Sequence, residues 1–229
     1  MGVRSPAGPY LGERLGRRSF LRAAAAGAGG IILPLEAFAA PDQVHDLRGK
    51  VTINGRVATY KSEILPGDRI ATGSDGHFVF VIGDDAFMLR SRSEMHIDKY
   101  EALGGFLRLV TGALGAVFGA GKPRQIHAQN VTAGIRGTGV YCETRGDGTY
   151  FCTCWGSVEL TAAGDPRDRE IVTSGNHVPR LVGRDAKDGT RFRPALFETH
   201  TDEEMDILEK CVGRRSPILV PGGDQPREK

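Results

Sequence analysis

Read from residue 43 onward, the sequence predicts an all-β body with a single C-terminal α-helix. Three observations carry this expectation. Short β-rich runs recur between turn residues at close, regular spacing. The one long apolar run in that region is broken by glycines. Helical periodicity with a capping signal appears only near residues 199–214.

KVTINGRVA (residues 50–58) alternates apolar and polar residues around Asn54-Gly55, the pair favoured by a tight type I′ hairpin. In ILPGDRIATGSDG (64–76), Pro66-Gly67-Asp68 supplies a turn, because Pro sets φ and Gly accepts positive φ. HFVFVIGDDAFMLRS (77–91) reads as two strands joined by Gly83-Asp84-Asp85, so turn chemistry accounts for the paired carboxylates. FLRLVTGALGAVFG (106–119) has the apolar density of a buried helix, yet Gly112, Gly115 and Gly119 favour strands with bends. In THTDEEMDILEKCVGR (199–214), Thr201 and Glu204 have capping-box spacing. Met205, Leu208 and Val212 share one face there, and Gly213 can end the helix, which is expected at about 201–213. Residues from 216 onward read as a loose tail.

Residues 1–39 read differently. Arg17-Arg18 is followed by Ser19-Phe20-Leu21, then by a weakly apolar Ala/Gly run and Ala37-Phe38-Ala39. The stretch resembles a twin-arginine signal peptide, which implies export to the periplasm in the folded state and cleavage after Ala39. The run is too short and too diluted by Gly27, Gly29, Gly30, Pro34 and Glu36 to favour a membrane anchor. No membrane span is expected in the mature chain. Five of the 30 basic and two of the 28 acidic residues would leave with the leader. The precursor's +2 then becomes −1, which offers no electrostatic attraction to nucleic acid.

LPGDRIATGSDGHFVFVIGDDAFMLRSRSEMHI and, downstream, TAGIRGTGVYCE (132–143) and WGSVEL (155–160) together resemble the periplasmic domain of the FecR family. The shared pattern is a Gly-Asp turn, I-x-T, a strand, a polar turn and S-x-x-x-I, followed by A-x-x-R-G-T and G-x-V. The resemblance covers about residues 45–162. It implies a FecR-like β-sandwich or β-roll of short antiparallel strands, followed by an extension (163–229) that holds the helix and the tail. The best-known members relay a signal from an outer-membrane iron-siderophore receptor to a cytoplasmic sigma factor. They carry a sigma-binding segment and a membrane helix where this chain has an export signal, so what carries over is the β-domain and its compartment.

The residues matching the family motif are expected to be structural. Gly67 and Asp68 form a turn, and Thr72 satisfies backbone groups as the chain re-enters a strand. Arg136 lies over carbonyls or a carboxylate, Gly137 permits close backbone approach, and Thr138 follows in the strand.

Residues 139–156, GVYCETRGDGTYFCTCWG, hold three of the four cysteines. A three-residue loop, Gly146-Asp147-Gly148, would set Cys142 opposite Cys152 and gather Cys142, Cys152 and Cys154 on one face. Three readings then stand. The thiols are small core hydrophobes, Cys142 and Cys152 form a cross-strand disulfide, or the trio binds zinc or copper with a histidine. His177, in SGNHVP, and His200, before the helix, are the histidine candidates. Cys211 is expected to pack inward and to join no site.

The sequence contains no Gly-x-Ser-x-Gly elbow, phosphate-cradling loop or His-Glu-x-x-His. Two functions are therefore expected to compete. One is a non-enzymatic periplasmic binding, scaffold or signalling module acting on an envelope protein partner. The other is a metal-binding or thiol-redox protein built on the cysteine cluster.

Overall fold

The computed structural model describes residues 43–101 and 104–218. Arg17, Arg18 and Ala39 of the signal-peptide pattern, and the tail beyond Ile218, lie outside the described residues.

The chain runs through β1 (Val44–Arg48), β2 (Val51–Ile53), β3 (Arg56–Val57), β4 (Arg69–Thr72), β5 (His77–Ile82), β6 (Asp85–Leu89), β7 (Glu94–Glu101), β8 (Gly104–Thr111) and β9 (Ala113–Val117). It continues through β10 (Pro123–Ala128), β11 (Val131–Arg145), β12 (Gly148–Ala162), β13 (Arg169–Ser174), β14 (Val178–Lys187) and β15 (Thr190–Pro194), and ends in α1 (Asp202–Cys211). All fifteen strands belong to one curled sheet, in the order β1-β5-β6-β9-β11-β10-β8-β7-β4-β2-β3, with β12 pairing β11, β13 and β14, and β14 pairing β15. The all-β class with one C-terminal helix is as the sequence predicts. No helix among the described residues is long and apolar enough to cross a membrane.

The turn chemistry acts as expected. Asn54 and Gly55 take φ of +52° and +78° between β2 and β3. Gly67 is left-handed at +95°, and the Asp68 carboxylate accepts from Leu65 N and Asn54 Nδ2, both at 2.7 Å. The Thr72 hydroxyl donates to Arg90 O and accepts from Ser93 N. Gly112, at φ +80°, makes the bend between β8 and β9.

Four features differ from expectation. β11 and β12 are long rather than short, at 15 residues each. The strand pair β8–β10 is parallel rather than antiparallel. Strands β13, β14 and β15 extend the sheet after residue 162, where only a helix and a tail were expected. Asp85 is not a turn residue: it is wholly buried and accepts from Arg124 Nε and Gly119 N, both at 2.7 Å, and from the Tyr100 hydroxyl. Only Asp84 serves the turn, paired with Lys122 at 2.7 Å. A carboxylate that receives three donors is stable in a dry interior, so a hairpin can place one there.

The sheet buries both its faces along β5, β6 and β9. Phe78 and Phe80 enter one cluster with Phe87, Ile126, Val140, Cys142 and Phe151. Val79 enters the other with Met88, Val117, Tyr141, Tyr150, Met205 and Leu208. Burial on both faces explains why these strands read as continuous apolar runs instead of alternating ones. The second cluster lies beneath α1. That helix starts at Thr201, whose hydroxyl accepts from Glu204 N while the Glu204 carboxylate accepts from Thr201 N, the reciprocal capping box. Gly213, at φ +71°, follows the C-cap Val212.

Candidate metal centre

The β11–β12 hairpin turns on two residues, Gly146 and Asp147, not on three. Arg145 pairs Gly148, Tyr141 pairs Cys152, and Cys142 pairs Phe151. A slip of one residue moves a side chain to the other face of a strand pair. Cys142 accordingly enters the first core cluster, while Cys152 and Cys154 enter the second. The register leaves Gly148 in a strand position that has no room for a side chain. Gly148 is spent on a close approach to β14: a Cβ there would lie 2.1 Å from Val182 O. It is a strand residue paired with Gly183, not the left-handed end of a loop.

The expected Cys142/Cys152/Cys154 trio is therefore corrected. Cys142 is a wholly buried thiol whose pKa burial drives upward, and it packs as a small core hydrophobe. The Cys142–Cys152 disulfide is ruled out by the opposed faces, and all four cysteines are free thiols. Cys211 packs partly buried against the second cluster.

Cys152 and Cys154 are instead joined by both candidate histidines. One ligand atom from each of Cys152, Cys154, His177 and His200 lies within 4.8 Å of the others. Cys152 Sγ is 3.6 Å from His177 Nδ1, and Cys154 Sγ is 3.4 Å from His200 Nε2. Tetrahedral zinc with Zn–S of about 2.3 Å and Zn–N of about 2.0 Å separates sulfur from nitrogen by about 3.5 Å. The two sulfur–nitrogen separations match that value.

Three parts of the fold supply these groups. Cys152 and Cys154 project from one face of β12, two residues apart. His177 lies in the turn between β13 and β14, anchored by its N–H to Cys154 O at 2.9 Å. His200 directly precedes the N-cap of α1.

The far side of each imidazole is also occupied. His177 Nε2 is 2.7 Å from Asp202 Oδ1 in the first turn of α1, and His200 Nδ1 is 3.2 Å from Glu198 O. A carbonyl or carboxylate only accepts, so these nitrogens donate, and they would carry the single proton of each ring once the rings are neutral metal ligands. The lone pairs then fall on His177 Nδ1 and His200 Nε2, the atoms that face sulfur. A metal-ligating histidine requires this arrangement, with an acceptor fixing the tautomer from behind.

The electrostatics agree with the donor chemistry. A hydrogen bond from Cys154, acting against burial and joined by the two histidines, shifts Cys152 downward and favours its thiolate form. Burial and the neighbouring Cys152 push Cys154 upward. Burial opposes a charged His177, yet its bonds to Cys152 and Asp202 raise its pKa. Aromatic rings close the surroundings. Tyr141 stacks on His200 at 4.4 Å between centroids and 8° between planes, and Phe197 lies 4.1 Å from His177.

The residues matching the family motif stand apart from this centre. Gly67, Asp68 and Thr72 serve turns and backbone, as described. Gly137 is left-handed at +59°, and a Cβ there would reach Ala120 Cα at 3.0 Å, which is the expected close approach. Thr138 is buried beside it. Arg136 departs from expectation: it is exposed, with no ionic or side-chain hydrogen-bond partner among the described residues, and it lines a shallow groove with Pro123, Gln125 and Ile171. Ordinary alternation along β11, with Val131, Ala133 and Ile135 facing inward, turns its side chain outward.

Sequence reasoning missed the orienting roles of Asp202 and of the Glu198 carbonyl. For the first the sequence holds no local signal, since Asp202 meets a ring 25 positions earlier. For the second, a backbone acceptor, the sequence holds no signal.

No protein-family model and no curated protein matches the sequence, so the FecR-like resemblance of residues 45–162 has no family-model match behind it. Two crystal structures, at 2.50 and 1.65 Å, of a protein from Parabacteroides distasonis provisionally described as an anti-sigma factor are similar in chain path. Each has a TM-score of 0.43 and 12% identity, over 53% of this chain. The match spans 59% of those chains, less than two thirds of their length.

Proposed function

We propose that this chain is a non-enzymatic, exported β-module of the cell envelope that holds one metal ion at Cys152, Cys154, His177 and His200. Zinc is the first choice for such a donor set, and cuprous copper the second. One observation carries the reading: both imidazoles are held from behind, by Asp202 and by Glu198 O, so that their lone pairs converge on two sulfurs. When bound, the ion would neutralise thiolate charge inside a dry cluster and cross-link three segments of the chain. Four protein ligands leave no open position, the pattern of a structural centre rather than a catalytic one. The module then acts through contacts with another envelope component. The twin-arginine pattern supports this reading, because export in the folded state allows metal to be loaded first.

A second reading has a specific observation behind it. Cys152, His177 and Asp202 stand in the order of a nucleophile, base and orienting acid. Burial argues against it, since Cys152 and Cys154 are 0% exposed and a nucleophile must be reached by its substrate.

Elemental analysis of protein purified from the envelope without chelator tests the proposal. One equivalent of zinc or copper is expected, with none in the Cys152→Ser/Cys154→Ser double variant. A metal-free wild-type protein that also fails to take up one equivalent of added zinc would overturn it.

A further inference from the structure

The centre shares its parts between the sheet and α1 in a reciprocal way. The sheet side contributes Cys152, Cys154 and His177. The helix side contributes His200 as a ligand and Asp202 as the acceptor that orients the sheet's own His177. Neither side holds a complete coordination sphere without the other.

Apart from the centre, α1 is held by one short apolar face and a few polar ties. It is 10 residues long, below the length at which a helix persists alone. Its buried side chains are Met205, Leu208 and Glu209, and Glu209 is committed to Arg214. Cys211, Val212 and Ile218 add partly buried apolar contact, the Arg90–Glu204 pair and Arg214 Nη1 to Asp84 O at 2.7 Å add polar ties, and the strap before the helix is held by Glu198 N to the Tyr150 hydroxyl and by Arg145–Glu198.

Backbone conformation supplies a second, independent observation. Five non-glycine residues among those described have positive φ, and two of them sit at the centre. His177 is itself a ligand at φ +46°, and Thr199, a β-branched residue at +72°, directly precedes His200. Such conformations persist where the surroundings over-determine them. Both flank ligands that metal coordination would fix.

Resting on the metal reading above, we propose that the ion is a latch: its binding docks α1 and the strap of residues 195–201 on the sheet, and its loss releases them. Release uncovers the apolar face of Val79, Met88, Val117 and Tyr141 that Met205 and Leu208 cover. The metal thereby controls exposure of a surface on the β-body, and the module reports metal supply through the position of its last helix.

Hydrogen exchange read by mass spectrometry tests this on the exported chain, stripped with a chelator and then titrated with zinc. With one equivalent bound, amides of residues 202–211 are expected to exchange at least about tenfold more slowly than in the stripped protein. Amides of β7 and β8 should be unchanged. His200→Ala keeps three sheet ligands and is expected to hold zinc more weakly while its helix exchanges as in the stripped wild type. His200→Cys, which restores a fourth ligand, is expected to recover protection. Zinc bound at one equivalent with unaltered exchange over 202–211 would overturn the latch and leave the metal centre standing. Failure to bind zinc at all would overturn both.

Discussion

Asp202 Oδ1 lies 2.7 Å from His177 Nε2, on the side of the ring away from Cys152, so a helix residue sets the tautomer of a histidine carried by the sheet. Asp202→Ala removes that acceptor and touches no ligand. Loss of such a partner weakens metal affinity by about 10–100-fold. Competition against a zinc-binding chromophore should give that range, with circular dichroism unchanged. Affinity equal to wild type would show that His177 needs no support from behind.

The opposed faces of Cys142 and Cys152 predict opposite phenotypes. Cys142→Ala should keep one equivalent of metal and cost roughly 1 kcal/mol through a small cavity. Cys152→Ser should lose metal. Urea unfolding together with metal content separates the two effects, and metal loss in Cys142→Ala would contradict the two-residue turn.

Gly148 and Gly146 are two residues apart yet should respond very differently. A Cβ at Gly148 meets Val182 O at 2.1 Å, whereas nothing lies within 4 Å of one at Gly146. Gly148→Ala is expected to destabilise by about 1–3 kcal/mol, as overpacking does. It should also weaken metal binding, because β14 starts directly after His177. Gly146→Ala should do neither.

The Asp85–Arg124 pair is buried on both sides, with side chains 1% and 3% exposed. Asp85→Ala would remove the carboxylate from a buried guanidinium and is expected to cost about 3–5 kcal/mol. Replacing Asp84, 64% exposed, should change stability by less than about 1 kcal/mol. Equal effects in chemical denaturation would refute the separate roles of the two acids.

A hydrogen bond from Arg69, together with the weaker influence of His96, holds the Glu94 carboxyl below its usual 4.5. Its folded value is thus depressed relative to the unfolded chain. The stability it adds is fully present above about pH 4.5 and is lost as pH falls through the lower folded value. Glu94→Gln should flatten that acid limb of a stability–pH curve and leave its slope above pH 6 unaltered.

Much of this molecule follows from local chemistry, because the forces that set it act within a few residues. Asn54-Gly55 imposes a hairpin and Gly112 a bend, and Thr201 with Glu204 caps the helix wherever the chain happens to lie. The all-β class and the single helix follow from these. Register and burial do not, because they depend on what packs against a strand from far along the chain. Val182, 34 positions after Gly148, leaves no room for a side chain there, and the two-residue turn that places Gly148 in the strand sends Cys142 to the far face. Arg124 and Tyr100 draw Asp85 out of a turn and into the core. His200 joins Cys154 across 46 positions because α1 folds back over the second cluster. Spacing along a sequence carries no measure of such distances, and the coordination of a metal consists of little else.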